Sequence, residues 1–298
     1  MPVESPGWAS VAGKRVRVAD GIDLVVDFSR GSAPGIVCIP GLASNARLFD
    51  GLATVLCDLG YAVATLDLRG HGRSSKPDEG YDFPTLCADV LQVIGALEAE
   101  EGGSCFGRPL LAGQSFGANL ALELAVRAPE AVTGAICIDG GVIELSESFA
   151  TREEMVAALT PPRLGGMELD ALRAALEARH PDWPRLGIEG MLANFAVAAD
   201  GTVTPALSLE HHLAILDALW SEHPSALFTQ AGVPVLLLPA SSAVTEESPK
   251  HTQIERALAA LPRGRVQWFS PADHDVHAQQ PAAVAGAIDH AIKDGFFS

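Results

Sequence analysis

Short apolar runs alternate with helical stripes over most of the chain. Arg15–Ala19 and Ile22–Phe28 flank the turn Ala19-Asp20-Gly21 and predict an antiparallel hairpin. Gly35–Ile39 is a buried-strand run closed by Pro40-Gly41. Leu48, Leu52, Val55 and Leu56 then recur at helical spacing until Gly60 stops them. Tyr61–Leu66 is the next apolar run, ended by the turn Asp67–Gly72. A stripe of Leu86, Val90, Val93, Ile94 and Leu97 predicts a helix. It is followed by a strand at Pro109–Ala112, a helix at Asn119–Arg127 and a strand at Ala135–Ile138. Such alternation predicts an α/β fold with a mostly parallel sheet flanked by helices.

The alternation stops near Gly141. From about Val142 to Thr229 the helical patterns Met155–Leu159, Leu169–Ala178 and His211–Leu219 are broken by Pro161-Pro162, Gly165-Gly166 and Pro181, with no convincing strand. The strand–helix pattern returns with Val233–Leu238, Gln253–Leu261, Arg265–Phe269 and Ala282–Ile292. The expected organisation is a core domain of residues 1–141 and 230–298, interrupted by an all-helical cap, 142–229, over one end of the sheet.

Composition narrows the functional classes. Hydrophobic residues are 48% and charged residues 19% of the 298, enough for a large core without disulfide or metal staples. A net charge of −17 repels phosphate backbones and anionic lipid, so neither nucleic acid nor a membrane is an expected partner. The longest apolar runs, such as Val233–Ala240, fall far short of the ~20 residues a spanning helix needs. Met1–Ser10 has no basic-then-apolar leader. Five scattered cysteines (Cys38, Cys57, Cys87, Cys105, Cys137) without a C-x-x-C pair predict reduced thiols and a cytoplasmic setting. No phosphate-binding loop, H-E-x-x-H or Cys/His ligand spacing occurs, so neither cofactor nor metal is expected. The oligomeric state stays open, a homo-oligomer included.

The sharpest chemical signal is Gly113-Gln114-Ser115-Phe116-Gly117, set between the apolar Leu110–Ala112 and the helical Leu120–Val126. A tight strand-to-helix turn can present a serine at its tip if its neighbours are small. The hydroxyl is a poor nucleophile until a base takes its proton. Of nine histidines, His274 stands out because it follows the last strand run, in Ala272-Asp273-His274-Asp275-Val276-His277. A loop there opens onto the same sheet edge as the Ser115 turn. His277 competes for the role and otherwise lines or supports the site.

With these motifs the chain resembles the α/β-hydrolase family over nearly its whole length. The resemblance implies nucleophile, acid and histidine in that chain order. Asp67-Leu68-Arg69-Gly70-His71-Gly72-Arg73-Ser74 resembles the family's turn after its fourth strand, with a structural role for His71. Ala272–Asp275 with Pro281 is similar to its histidine loop, although Asp273 stands where glycine is common. The family's acid often follows the strand that here is Val233–Leu238, yet this chain reads Pro239-Ala240-Ser241-Ser242-Ala243 there. The variant pattern puts the acid after the preceding strand and so implies Asp139, with Glu246 or Glu247 as the alternatives. The resemblance also implies an oxyanion hole from the backbone N–H groups of Phe116 and Leu42. A serine at the elbow argues against the dehalogenase relatives, which use aspartate.

In the cap, Met155, Leu159, Leu164, Met167, Trp183, Met191, Phe195 and Trp220 could line a pocket, although a helical layer must bury most such residues against itself. One of His211 and His212 should face the pocket and the other solvent. The candidate substrate contacts are Trp183, Met191, Phe195, His211 and Trp220. With no arginine cluster in the cap, a neutral, largely apolar small molecule is expected. The activity expected is hydrolysis of a carboxylic ester or lactone through an acyl-enzyme. C–C bond hydrolysis, acyl transfer, or ligand binding with little turnover are the alternatives.

Overall fold

The computed structural model describes residues 7–100, 103–162, 165–242 and 248–298. Leu164, Glu246 and Glu247 therefore lie outside the described residues. The elements run β1 (Val11–Ala19), β2 (Ile22–Ser29), β3 (Ser32–Ile39), α1 (Asp50–Asp58), β4 (Tyr61–Asp67), α2 (Phe83–Glu98), β5 (Leu110–Gln114), α3 (Phe116–Arg127) and β6 (Gly134–Ile138). Then come α4 (Leu145–Ser148), α5 (Arg152–Leu159), β7 (Met167–Glu168), α6 (Leu169–Arg179), α7 (Arg185–Leu192), β8 (Phe195–Val197), β9 (Thr202–Pro205) and α8 (Leu209–Ser221). The chain finishes with β10 (Val235–Leu238), α9 (Pro249–Ala260), β11 (Gly264–Val266), α10 (Val276–Gln279) and α11 (Pro281–Lys293).

Eight strands form one sheet in the order β1-β2-β4-β3-β5-β6-β10-β11. β2 is antiparallel to both β1 and β4, and every other pairing is parallel. The alternation of side chains divides two cores. Val37, Ile39, Leu111, Ala135, Cys137, Val235 and Leu237 face α2 and α3, while Ile36, Cys38, Leu110, Ala112, Ile136, Ile138, Leu236 and Leu238 face α1 and α11. Strands buried on both faces carry apolar residues at every position, which is why they appear in the sequence as unbroken runs.

Register then does the positioning. Ile39 pairs with Gly113, Gln114 with Ile138, and Leu238 with Ile138. The residues that follow these strand ends, Pro40, Ser115, Asp139 and Pro239, consequently stand in a row along one edge of the sheet.

The block between β6 and β10 corrects the all-helical expectation. It contains a three-stranded antiparallel sheet in the order β7-β9-β8. Strands of two to four residues are too short to display a period of two. The turn Asp200-Gly201 between β8 and β9 was nonetheless a hairpin signal in the sequence. The block also packs in two ways. Leu172, Leu176, Trp183, Ile188, Leu192 and Val203 form a small cluster seated on Leu48 and Ala278, whereas Met155, Ile215, Leu216 and Leu219 belong to the main core.

Candidate active site

Ser115 sits between β5 and α3 with φ 53° and ψ −119°. Its neighbours must be small. A Cβ on Gly113 would come within 2.1 Å of the Gly117 carbonyl oxygen, and one on Gly117 within 2.2 Å of that of Ile39. Backbone cannot move aside for such atoms, so the motif's glycines are what allow strand and helix to pack this closely. Among the described residues, three non-glycine residues have positive φ: Ala43 (58°), Ser115 (53°) and Asp139 (42°). All three lie on the same sheet edge. Strain that costs on the order of 1–3 kcal/mol per residue is concentrated along that edge.

Asp139 is held by its backbone N–H donating to Leu238 O at 3.0 Å, and its side chain is almost wholly buried. Its carboxylate accepts the N–H of Ala240 on Oδ1 at 2.9 Å and meets His274 Nδ1 at Oδ2, 2.6 Å away. An ionised carboxylate can only accept, so Nδ1 carries the proton and Nε2 is left as the basic nitrogen. Burial opposes the charge on Asp139 most strongly, but the His274 hydrogen bond, the His274 and Lys250 charges and the Ala240 N–H together hold its pKa below the ordinary aspartate value. Burial likewise works against a charged His274. The hydrogen bond that His274 donates to Asp139 and the charges of Asp275 and Asp139 outweigh it, and the His274 pKa rises above the ordinary value.

The loop after β3 passes directly over the elbow: a Cβ placed on Gly41 would be 3.2 Å from Ser115 Cβ. Ser44 N–H donates to Gly41 O, closing a turn around Leu42 and Ala43. His71 supports that turn from beneath. Its Nε2 accepts Ala43 N–H at 3.3 Å while Nδ1 lies 2.9 Å from Arg69 O, to which it must donate. Complete burial pushes its pKa down to about 4, so the ring is neutral and keeps the tautomer that these two bonds require. Phe116 begins α3, where a backbone N–H has no intrahelical acceptor. Gly41 and Phe116 thus flank Ser115 from two sides.

His277 is fully buried against Phe49, with burial pushing its pKa to about 3, and it serves as neutral packing beneath the histidine loop.

A cavity of about 590 Å³ lies between the sheet edge and the inserted block. Its walls include Ala43, Ser44 and His71 below and Met191, Asn194, Phe195, Leu207, Leu209 and His212 above. Ser115 and His274 do not line it; Ala43 and Ser44, of the turn that passes over the elbow, do. Of the five candidate substrate contacts, Met191 and Phe195 lie in this wall and three do not. Trp183 is buried in the small cluster and donates Nε1–H to Asp273 Oδ2 at 2.9 Å. His211 stacks on Tyr81 at 4.8 Å, and Trp220 packs against the main core. Neither His211 nor His212 faces solvent: both are buried, and it is His212 that reaches the cavity, its Nε2 3.0 Å from Leu159 O. Helical spacing identifies which residues are apolar or aromatic but not which neighbour claims them.

Three contributors were missed in the sequence. Gln114 donates to His274 O at 3.3 Å and tethers the histidine loop to the elbow. Asp273, the departure from glycine, accepts from Trp183 and lies 3.1 Å from His180 Nδ1, so it clasps the inserted block to that same loop. Lys250 donates to both oxygens of Asp139. Only the Asp273 departure gave a visible signal.

A strained serine between strand and helix, next along the crest of a mostly parallel sheet to a buried carboxylate that holds a histidine, is the architecture of the nucleophile-elbow α/β proteins. The chain belongs to the alpha/beta hydrolase family, whose model matches residues 36–287. It is 26% identical over 266 residues to a 2-(acetamidomethylene)succinate hydrolase of Mesorhizobium japonicum, covering 88% of this chain and 89% of that protein. It is 28% identical over 272 residues to the sn-1-specific diacylglycerol lipase ABHD11 of Xenopus tropicalis, covering 87% and 78%. Among solved structures, that of E-2-(acetamidomethylene)succinate hydrolase superposes with a TM-score of 0.76 at 24% identity, covering 95% of this chain and 99% of that one.

Proposed function

We propose that this chain is a cofactor-independent serine hydrolase that cleaves a neutral, largely apolar carboxylic ester or lactone. The observation that carries the reading is the shared register of Ser115 with the 2.6 Å His274–Asp139 pair. In this reading His274 Nε2 takes the proton from Ser115 Oγ as that oxygen bonds to the substrate carbonyl carbon. The carbonyl oxygen becomes an oxyanion, held by the N–H groups of Phe116 and Leu42, each such donor worth ~2.7–4 kcal/mol of barrier. The tetrahedral intermediate collapses, the bond to the leaving alkoxide breaks, and that oxygen takes the proton from His274. Water then repeats the sequence on the acyl-enzyme and frees Ser115. Asp139 keeps the tautomer and stabilises the imidazolium.

The substrate class rests on the cavity. Pro161, Pro162, Met191, Phe195, Pro205, Leu207 and Leu209 supply apolar walls, with Asn194, Ser44 and Ser208 as polar points. That balance suits a compact apolar acyl or alkyl group with one or two hydrogen-bonding atoms. A lipase among the relatives, named for hydrolysing diacylglycerol at sn-1, is in keeping with ester cleavage.

The test compares wild type with Ser115→Ala on p-nitrophenyl acetate, butyrate and octanoate, a lactone and a β-diketone. Ester or lactone turnover that vanishes in the variant is expected. Turnover of the diketone alone would replace the reading with C–C hydrolysis, and equal activity of both proteins would remove Ser115 from the mechanism.

A further inference from the structure

The segment after β10, where a carboxylate would often stand, instead brings a cation to the triad. Lys250 occupies the first turn of α9, which Ser248 caps by accepting His251 N–H. Its Nζ lies 2.9 Å from Asp139 Oδ1, 3.1 Å from Asp139 Oδ2 and 2.9 Å from Ala240 O. An ammonium has three N–H donors, and here each has an acceptor. Asp139 Oδ1 is thus shared by Ala240 N–H and Lys250, and Oδ2 by His274 and Lys250. We propose that Lys250 is a positioning residue that clamps the triad carboxylate and, through its charge, lowers the basicity of His274. The proposal rests on the reading of Ser115, His274 and Asp139 as a hydrolytic triad.

The physical reason is charge balance. A carboxylate beside an imidazole favours the imidazolium and so raises the pH at which the base becomes free. Pairing the carboxylate with Lys250 makes the acid–lysine unit neutral, so that His274 is free to accept the serine proton at a lower pH. Among the described residues, the other groups facing His274 are Asp275, whose charge favours the imidazolium, and His277, buried and neutral. Asp273 and His180 stand one step further out, engaged with each other. Lys250 is the cation in this group, and its charge opposes protonation of His274. Its side chain is 43% exposed, so solvent weakens but does not erase the effect.

The experiment compares wild type, Lys250→Met, Lys250→Gln and Lys250→Arg by two readouts. One is the pH profile of kcat/KM on a p-nitrophenyl ester, and the other is NMR titration of the His274 imidazole. Both neutral variants should move the acidic limb and the imidazole titration upward by about half to one pH unit, the size expected of a partly screened charge at this range. Lys250→Arg should leave them at the wild-type position. A neutral variant that loses rate at every pH with an unmoved limb would reduce Lys250 to scaffolding. A shift shared by Lys250→Arg would show that the charge is not responsible. Two neutral side chains of different polarity guard against one that does not fold. If the wild type hydrolyses no ester, the functional reading fails, and the imidazole titration alone still decides the role of Lys250.

Discussion

The crest of the sheet and the block inserted above it are built on different terms. At the crest, Ser115 and Asp139 follow directly on fully buried strands in fixed register, the Leu42–Ala43 turn follows the buried end of β3, and the oxygens of Asp139 are all engaged. The inserted block uses strands of two to four residues and leaves Leu159, Leu186, Val197 and Leu209 more than a third exposed. Of its ion pairs, Arg152–Asp217 lies at the surface and Arg173–Glu189 is half-buried, each held by two hydrogen bonds. The lesson is a division of labour. Geometry that must hold to a fraction of an ångström is fixed by long-range strand pairing. The part that roofs the cavity is a layer of short elements fastened at a few points, Asp273 among them.

The largest effect expected from breaking this arrangement is at the acid. Asp139→Asn keeps the shape but can present an amide N–H to His274, favouring the wrong tautomer, and should lower kcat by about 10⁴-fold. Steady-state kinetics at saturating substrate would show it. Next comes the elbow itself. Gly117→Ala drives a Cβ into the Ile39 carbonyl and should cost about 3 kcal/mol or more, read from chemical denaturation.

The pH dependence follows from signs. Because the pKa of His274 is raised in the folded protein, its pairing favours the fold below the ordinary histidine value, and that contribution is lost as pH rises through the folded value. Activity runs the other way, since the neutral imidazole is the base. The acidic limb of kcat/KM should accordingly have its midpoint above pH 6.5, the ordinary histidine value. The lowered pKa of Asp139 adds stability above the ordinary aspartate value, lost as pH falls through the folded one.

The smallest effect belongs to the inserted block. Phe195→Ala, in the cavity wall, should reduce kcat/KM for the octanoate ester by about tenfold while changing the acetate ester little. A uniform loss across chain lengths would blur the distinction between crest and layer.

The same contrast explains what was legible in the sequence. Strands such as Ala135–Ile138 and Val235–Leu238 announced themselves because burial on both faces leaves no polar position. The elbow was legible because steric demand restricts its glycines to one solution. Asp139 came into view only through family resemblance, since one aspartate after a strand resembles any other turn residue. Lys250 was invisible: a lysine in a first helical turn is ordinarily solvated, and only tertiary contact turns it toward Asp139. That Trp183, His211 and Trp220 lie outside the cavity wall was hidden for a related reason. An aromatic side chain satisfies equally a pocket, a small core or a stacked pair, and the local pattern is the same in all three.

Whether Ser115 is a nucleophile activated by His274 and Asp139 is tested most directly by reaction with a fluorophosphonate followed by peptide mapping of the adduct. One adduct per chain is expected, on Ser115, absent in Ser115→Ala and formed far more slowly in Asp139→Asn. A wild-type protein that stays unlabelled, or an adduct that maps to another residue, would contradict it.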